Sequence, residues 1–200
     1  MREYPQPTIL CEGADWLRNR DHNYFSQFGE DGLIEAVFDR IGMHNRWCFE
    51  VGASDGETLS NTKVLRDDGW DAVLIEAEPH QFEKLRRFES ERVRCVNEHI
   101  GPASLDRILR NHSAPRAPDF GSLDIDGQDY WAWAGMVDYV PRVMLVEYAI
   151  GTGDFIPPVG GEGQAKFDPI VALGRSKGYA PVIATYVNVL FVWSTDWESS

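Results

Sequence analysis

Residues 46–56 run Arg-Trp-Cys-Phe-Glu-Val-Gly-Ala-Ser-Asp-Gly, an apolar strand entering a glycine-rich turn, and a second apolar run, Ala72-Val73-Leu74-Ile75-Glu76, ends in another acid. Glycine in such a turn lets the backbone approach a ligand closely. A carboxylate at the tip of the next strand can accept both hydroxyls of a ribose. The spacing Glu50-x-Gly52-x-x-x-Gly56 departs from the Gly-x-Gly-x-x-Gly of dinucleotide sites and is the variant usual for S-adenosylmethionine. On this reading Glu50, Gly52, Ala53, Ser54, Asp55 and Gly56 serve the methionine and ribose end of the ligand. Glu76 and Ala77 meet the ribose, with Glu78 a competing acceptor, and Asn97 and Glu98 meet the adenine edge. Gln27 and Glu30 are placed to fold over the amino-acid end; the plainer reading is a first helical turn, where the dipole favours acids.

Asp124-Ile125-Asp126-Gly127 carries the second constellation. A strand over about 121–126 would point Asp124 and Asp126 to one face at its C-terminal end. Open α/β sheets bind ligands at that end. Two like charges side by side repel, so one acid holds a proton or a cation lies between them. Glu147 ends the next strand, and three carboxylates on adjacent strand tips suit Mg²⁺ or Ca²⁺. Such an ion would bind an acceptor hydroxyl and lower its pKa. The metal-free alternative makes Asp126 a general base and sets Asp124 against the methionine amine. The plainest reading is a polar turn, with Asp129 capping the helix that follows.

The elements that must position these groups alternate. Ser26 can cap a helix over about 27–41, in which Leu33, Val37 and Ile41 recur at helical spacing. Strands are predicted over about 47–52, 72–76, 93–97, 121–126 and 143–148. Helices are predicted between them, over about 61–67, from Pro79 to Phe88, from Ser104 past Leu109, and over 128–139. A Gly- and Pro-rich segment from Gly151 to Gly163 is long for a loop in a compact domain and reads as a lid or as local disorder. A helix over about 165–177 ends at Gly178, and Pro181–Thr185 and Val189–Trp193 form a closing hairpin. Alternating strands and helices predict a mostly parallel sheet covered on both faces. Residues 1–22 read as an irregular extension and 23–200 as one domain.

With 200 residues and 43% hydrophobic content, the chain suits one domain with a real core. A net charge of −13 with no basic cluster argues against nucleic acid and anionic membrane surfaces. No apolar run approaches the roughly 20 residues that span a bilayer. Met1-Arg2-Glu3-Tyr4-Pro5 carries no signal-peptide pattern, and Cys11, Cys48 and Cys95 are scattered, with Cys48 and Cys95 in predicted strands. A reduced, cytoplasmic protein is expected. The histidines show no metal spacing. Tyr130, Trp131 and Trp133 read as helix packing, with one face lining the substrate pocket, and exposed aromatics around Trp131–Trp133 would permit a homodimer.

Taken in order, several segments resemble one family. They are Ser26-Gln27-Phe28-Gly29-Glu30-Asp31-Gly32, Phe49-Glu50-Val51-Gly52-Ala53-Ser54-Asp55-Gly56 and Leu74-Ile75-Glu76-Ala77-Glu78-Pro79. Ser122-Leu123-Asp124-Ile125-Asp126-Gly127, Val146-Glu147-Tyr148, Gly178-Tyr179 and Asn188-Val189-Leu190-Phe191-Val192 follow. Over about residues 24–194 the chain resembles the FkbM-type branch of class I S-adenosylmethionine-dependent methyltransferases. The resemblance implies a Rossmann-like seven-stranded sheet of order 3-2-1-4-5-7-6, the last strand antiparallel, with helices on both faces. It implies O-methylation of a small polar metabolite or sugar. Many members carry Glu where this chain has Asp126, so roles transfer loosely there. Two other functions fit the same fold: metal-dependent chemistry without methyl transfer, and a non-catalytic binding protein.

Overall fold

The computed structural model describes residues 4–198. The expectation drawn from Met1–Glu3 lies outside the described residues. Eight strands form one sheet: β1 (Thr8–Ile9), β2 (Trp47–Val51), β3 (Asp71–Glu76), β4 (Val93–Asn97), β5 (Phe120–Leu123), β6 (Val143–Glu147), β7 (Tyr179–Ala184) and β8 (Asn188–Trp193). Their spatial order is β1-β7-β8-β6-β5-β2-β3-β4. β2 to β6 are parallel, and β8 runs antiparallel to both β6 and β7. Without β1 this is the expected seven-stranded order. The order reverses between β2 and β5, the topological switch point at which such sheets open a ligand crevice.

Among the described residues seven α-helices accompany the sheet: α1 (Glu30–Ile41), α2 (Lys63–Asp67), α3 (Pro79–Leu85), α4 (Ser104–Asn111), α5 (Asp129–Gly135), α6 (Phe167–Ser176) and α7 (Ser194–Glu198). Alternation along the strands splits the core into two layers. Phe49, Val51, Met144 and Val146 pack with Leu105, Trp133 and Ile170 from α4, α5 and α6. Cys48, Leu74 and Leu145 pack with Leu33, Val37, Phe38, Leu65 and Leu85 from α1, α2 and α3.

Several boundaries shift for identifiable reasons. The helix expected from Gln27 starts at Glu30, because the Asp31 carboxylate accepts the backbone N–H groups of Tyr24, Phe25 and Ser26 at 2.7, 2.7 and 2.8 Å. Ser26 Oγ accepts the Asp31 N–H at 3.0 Å, so the two side chains close a polar turn before the helix. The segment before residue 23, expected to be irregular, supplies edge strand β1, which pairs Thr8 with Ala184 and Ile9 with Ile183. Strand β5 stops at Leu123, three residues earlier than expected, and α5 ends at Gly135. Trp133, read from sequence as helix packing, is fully buried against Tyr179 and Phe191, which takes it out of the exposed aromatic face that the homodimer reading supposes.

The Gly151–Gly163 segment is tied down. Gln128 Nε2 donates to the carbonyls of Pro158 and Gly161, and the Gly160 N–H donates to Gln128 Oε1 at 2.8 Å. Trp131 Nε1 donates to the Pro157 carbonyl at 2.7 Å. These bonds fasten the segment to Gln128 and to the first turn of α5.

Candidate active site

The C-terminal tips of β2, β3 and β5 enclose a cavity of about 410 Å³. Its walls include Glu50, Gly52, Ala53, Ser54, Glu76, Ala77, Asp124 and Asp126, all singled out from sequence. Gly52 is where the strands meet most closely. Its φ is +79°, and a Cβ there would lie 1.6 Å from the Asp124 carbonyl oxygen. The glycine is therefore required by the approach of β5 to the turn after β2. Gly56 also has φ of +79°, but a Cβ there would meet the side chains of Leu85 and Phe88. It serves packing beneath α3 and is not part of the cavity wall.

Glu50 is buried with its oxygens turned to the chain that follows: it accepts from Ser60 Oγ at 2.7 Å, the Asn61 N–H at 2.7 Å and Thr62 Oγ1 at 2.6 Å. It fixes the 59–62 wall. Glu76 accepts the Ser54 N–H and the Glu78 N–H, each at 2.7 Å, through different oxygens. A carboxylate offers about four acceptor positions, so each oxygen keeps one for a ligand. Three residues with left-handed backbone and side chains, Ser54, Leu59 and Asp126, line this one cavity. Such backbone costs on the order of 1–3 kcal/mol per residue and gathers at functional sites.

Asp124, Asp126 and Glu147 converge, with ligand oxygens all within 4.8 Å of one another. The reason differs from the expected one. Asp124 lies just beyond β5, where its N–H still donates to the Val51 carbonyl at 3.1 Å. The chain then turns through Asp126 at φ +51° and Gly127 at φ +147°. Asp129, buried in the first turn of α5, closes this turn by accepting the Ile125 N–H at 2.9 Å and the Gly127 N–H at 3.2 Å. Burial, followed by the neighbouring carboxylates, pushes Asp124 up to about 7 and Glu147 up to about 9, and the two side chains hydrogen-bond each other. They hold a proton between them around neutral pH. Gln164, reaching in from beyond the Gly- and Pro-rich segment, donates to Glu147 Oε2.

Other sequence candidates lie outside the cavity wall. Glu30 is buried against the terminal hairpin, accepting from Thr185 Oγ1 at 2.7 Å and Asn188 Nδ2 at 3.1 Å. Gln27 is exposed on the polar turn before α1. Asp55 accepts the Glu57 and Thr58 N–H groups within its own turn, and those bonds hold its carboxyl below the usual range against a burial that raises it. Asn97 Nδ2 donates to the carbonyls of Glu76 and Ala77, bracing the β3 tip from β4. The structure adds Gln81, Thr58, Leu59, Ser60 and Ile125 to the wall. Gln81 had a usable signal, since it sits in the first turn of the helix that Pro79 opens after the acidic strand tip. Gln164 had none. Asp129, read from sequence as the cap of the next helix, lies inside its first turn, with Gln128 at the cap, and closes the preceding turn instead.

No family model matches the chain, and no curated protein matches it. Solved structures do. The sugar N-methyltransferase KedS8 from Streptoalloteichus sp ATCC 53650 is similar with a TM-score of 0.52 and 13% identity, over 80% of this chain and 84% of that one. TehB from Haemophilus influenzae gives a TM-score of 0.50 and 11% identity, over 80% of this chain and 61% of that one. This chain thus spans less than two thirds of the TehB chain. These likenesses concern the fold, and the fold is the Rossmann-like α/β fold of class I S-adenosylmethionine-dependent methyltransferases. Among the described residues no helix is long and apolar enough to cross a membrane.

Proposed function

We propose that the chain is an S-adenosylmethionine-dependent methyltransferase of the FkbM-type branch that methylates an oxygen of a small polar acceptor in the cytoplasm. The observation that carries this reading is the charge of the cavity wall: Glu50, Glu76, Asp124 and Asp126, with no Lys, Arg or His among the lining residues. Such a wall repels the pyrophosphate of a dinucleotide and favours a ligand bearing a sulfonium and an ammonium. The free acceptor positions on Glu76 suit a ribose diol. Bound there, S-adenosylmethionine supplies an electrophilic methyl group. Glu76 would hold the ribose, and Asp124 would accept from the ammonium, whose charge would favour release of the proton shared with Glu147. Asp126, exposed at the cavity edge, takes the proton of the acceptor hydroxyl. Positioning of the nucleophile in line with the methyl group supplies the rest.

The oxygens of Asp124, Asp126 and Glu147 are also a hard-donor set of the kind that suits magnesium or calcium. An ion held there would bind and acidify the acceptor hydroxyl. Calorimetric titration with S-adenosylmethionine, with and without Mg²⁺, tests both readings. Dissociation constants of about 1–100 μM are expected, at least about tenfold weaker in Glu76→Gln, with no heat from NAD⁺. A magnesium-dependent affinity assigns the ion to the carboxylates. No binding of S-adenosylmethionine or S-adenosylhomocysteine under either condition refutes the methyltransferase reading.

A further inference from the structure

Hydrogen-bond donors are scarce along the strand-tip cavity. Its acids, Glu50, Glu76, Asp124 and Asp126, only accept when ionised. Two hydroxyl protons of the wall are committed: Thr58 Oγ1 donates to Asp55 Oδ2 at 3.0 Å and Ser60 Oγ to Glu50 Oε2 at 2.7 Å. The backbone of the turn after β2 is committed as well. The Gly52 and Ala53 N–H groups donate to the Ile75 carbonyl at 2.9 and 3.0 Å, and the Ser54 N–H donates to Glu76 at 2.7 Å. Among the described residues, Ser54 Oγ and Gln81 Nε2 are the side-chain donors of this wall that have no acceptor.

Gln81 differs from Ser54 in being oriented. Lys84 Nζ donates to Gln81 Oε1 at 3.0 Å. An ammonium only donates, so the amide atom that faces it is the carbonyl oxygen. Lys84 lies outside the cavity wall and Gln81 within it, which leaves the NH₂ end of the amide for the cavity. The side chain is only partly buried, so a bound molecule can reach it. Gln81 stands in the first turn of α3, on the chain that leaves β3 just after Glu76. A ribose hydroxyl that donates to Glu76 keeps two lone pairs, and these call for a donor. The neighbouring acids cannot supply one; the Gln81 amide can.

We propose that Gln81 is a specificity-determining residue for the nucleoside, donating from Nε2 to a ribose hydroxyl oxygen while Lys84 holds the amide in that orientation. This rests on the methyltransferase reading. The probes are S-adenosylhomocysteine, which carries no net charge, and its 2′-deoxy, 3′-deoxy and 3-deaza analogues. Calorimetric titration gives their dissociation constants for the wild type, Gln81→Leu, Lys84→Met and the double variant. Gln81 and Lys84 are both at the surface of α3, and urea unfolding of each variant is expected to match the wild type.

Gln81→Leu is expected to bind S-adenosylhomocysteine about three- to tenfold more weakly than the wild type, the loss of one neutral hydrogen bond. With one of the two deoxy analogues the wild type and Gln81→Leu bind equally, because the oxygen that the amide meets is gone. The 3-deaza analogue keeps the full difference. Lys84→Met weakens binding about two- to threefold and has no effect once Gln81 is leucine. A difference that survives both deoxy analogues, or that vanishes with the 3-deaza analogue, would overturn the assignment to ribose. An equal effect of Lys84→Met in both backgrounds would overturn the orienting role. Wild-type affinity in Gln81→Leu would overturn the inference and leave the methyltransferase reading standing, whereas no binding of S-adenosylhomocysteine by the wild type would remove both.

Discussion

Replacing Glu147 by Gln should stabilise the protein, and more so as pH rises. The three carboxylates at the tips of β5 and β6 have oxygens within 4.8 Å of one another. At that separation and an effective dielectric constant near 20, a fully ionised pair repels by about 3.5 kcal/mol. Both Asp124 and Glu147 have folded-state pKa values raised above their ordinary ones, to about 7 and about 9. A raised carboxyl stabilises the fold fully below its unfolded value, and that contribution is lost as pH rises through the folded value. The wild type should therefore lose stability between about pH 4 and pH 9. Glutamine keeps the shape, still accepts from Gln164 and can still donate to Asp124, but it removes one ionisation. Glu147 is only partly buried, so solvent screens the repulsion to about 1–2 kcal/mol. Urea unfolding of both proteins at pH 5 and pH 9 reads the effect. The advantage of Glu147→Gln should be about 1–2 kcal/mol larger at pH 9 than at pH 5. A pH-independent difference, or a variant less stable than wild type at pH 9, would refute the shared-proton account.

Asp119 is fully buried; it accepts the N–H groups of His44, Asn45 and Arg46 and pairs with Arg142 at 3.0 Å. Asp119→Ala leaves a buried guanidinium short of a partner and should cost about 3–5 kcal/mol in urea unfolding; a loss below about 1 kcal/mol would contradict this. Gly52→Ala must push the Asp124 carbonyl away and hold alanine at positive φ, so a loss of about 2–4 kcal/mol and weakened ligand binding in the cavity are expected. Thermal unfolding and calorimetry check both, and wild-type behaviour in either would show that the strands tolerate separation. Gln128→Ala should leave global stability within about 1 kcal/mol while exposing the Gly151–Gly163 segment to proteases, because its hydrogen bonds fasten that segment alone. Unchanged proteolysis would mean that Trp131 is sufficient.

The parallel core was legible in the sequence because its strands are short apolar runs that each end in an acid or a glycine turn. Trp47–Val51 and Asp71–Glu76 need no tertiary information to be recognised. β1 was not legible. It is two residues long, and only the partner strand β7, some 175 positions away in the chain, makes Thr8–Ile9 extended. Helix α1 illustrates a different limit. Ser26 was recognised as a capping residue, but the Asp31 carboxylate holds three consecutive backbone N–H groups in a turn before the helix, and competition of this kind between side chain and backbone moves a boundary without changing the hydrophobic period.

The site shows how a right placement can rest on a wrong reason. Asp124 and Asp126 were expected to share a face because residues two apart on a strand do so, yet the strand has ended before either. They meet because Asp126 and Gly127 adopt positive φ and Asp129 ties the turn shut from beneath. The polar turn, offered by the sequence beside the strand, is what the backbone follows here, because the Asp-Gly pair is a turn signal in its own right. The distinction has a chemical consequence. Carboxylates on a strand are fixed by the whole sheet, whereas Asp126 is placed by a turn that one buried aspartate closes, and Glu147 accepts from a glutamine just past the glycine-rich segment. Glu50 and Glu76, by contrast, are each anchored by backbone or hydroxyl donors at 2.6–2.7 Å. Two firmly anchored acids beside a carboxylate cluster set by a single turn suit the proposed division of the cavity into a nucleoside end and an acceptor end.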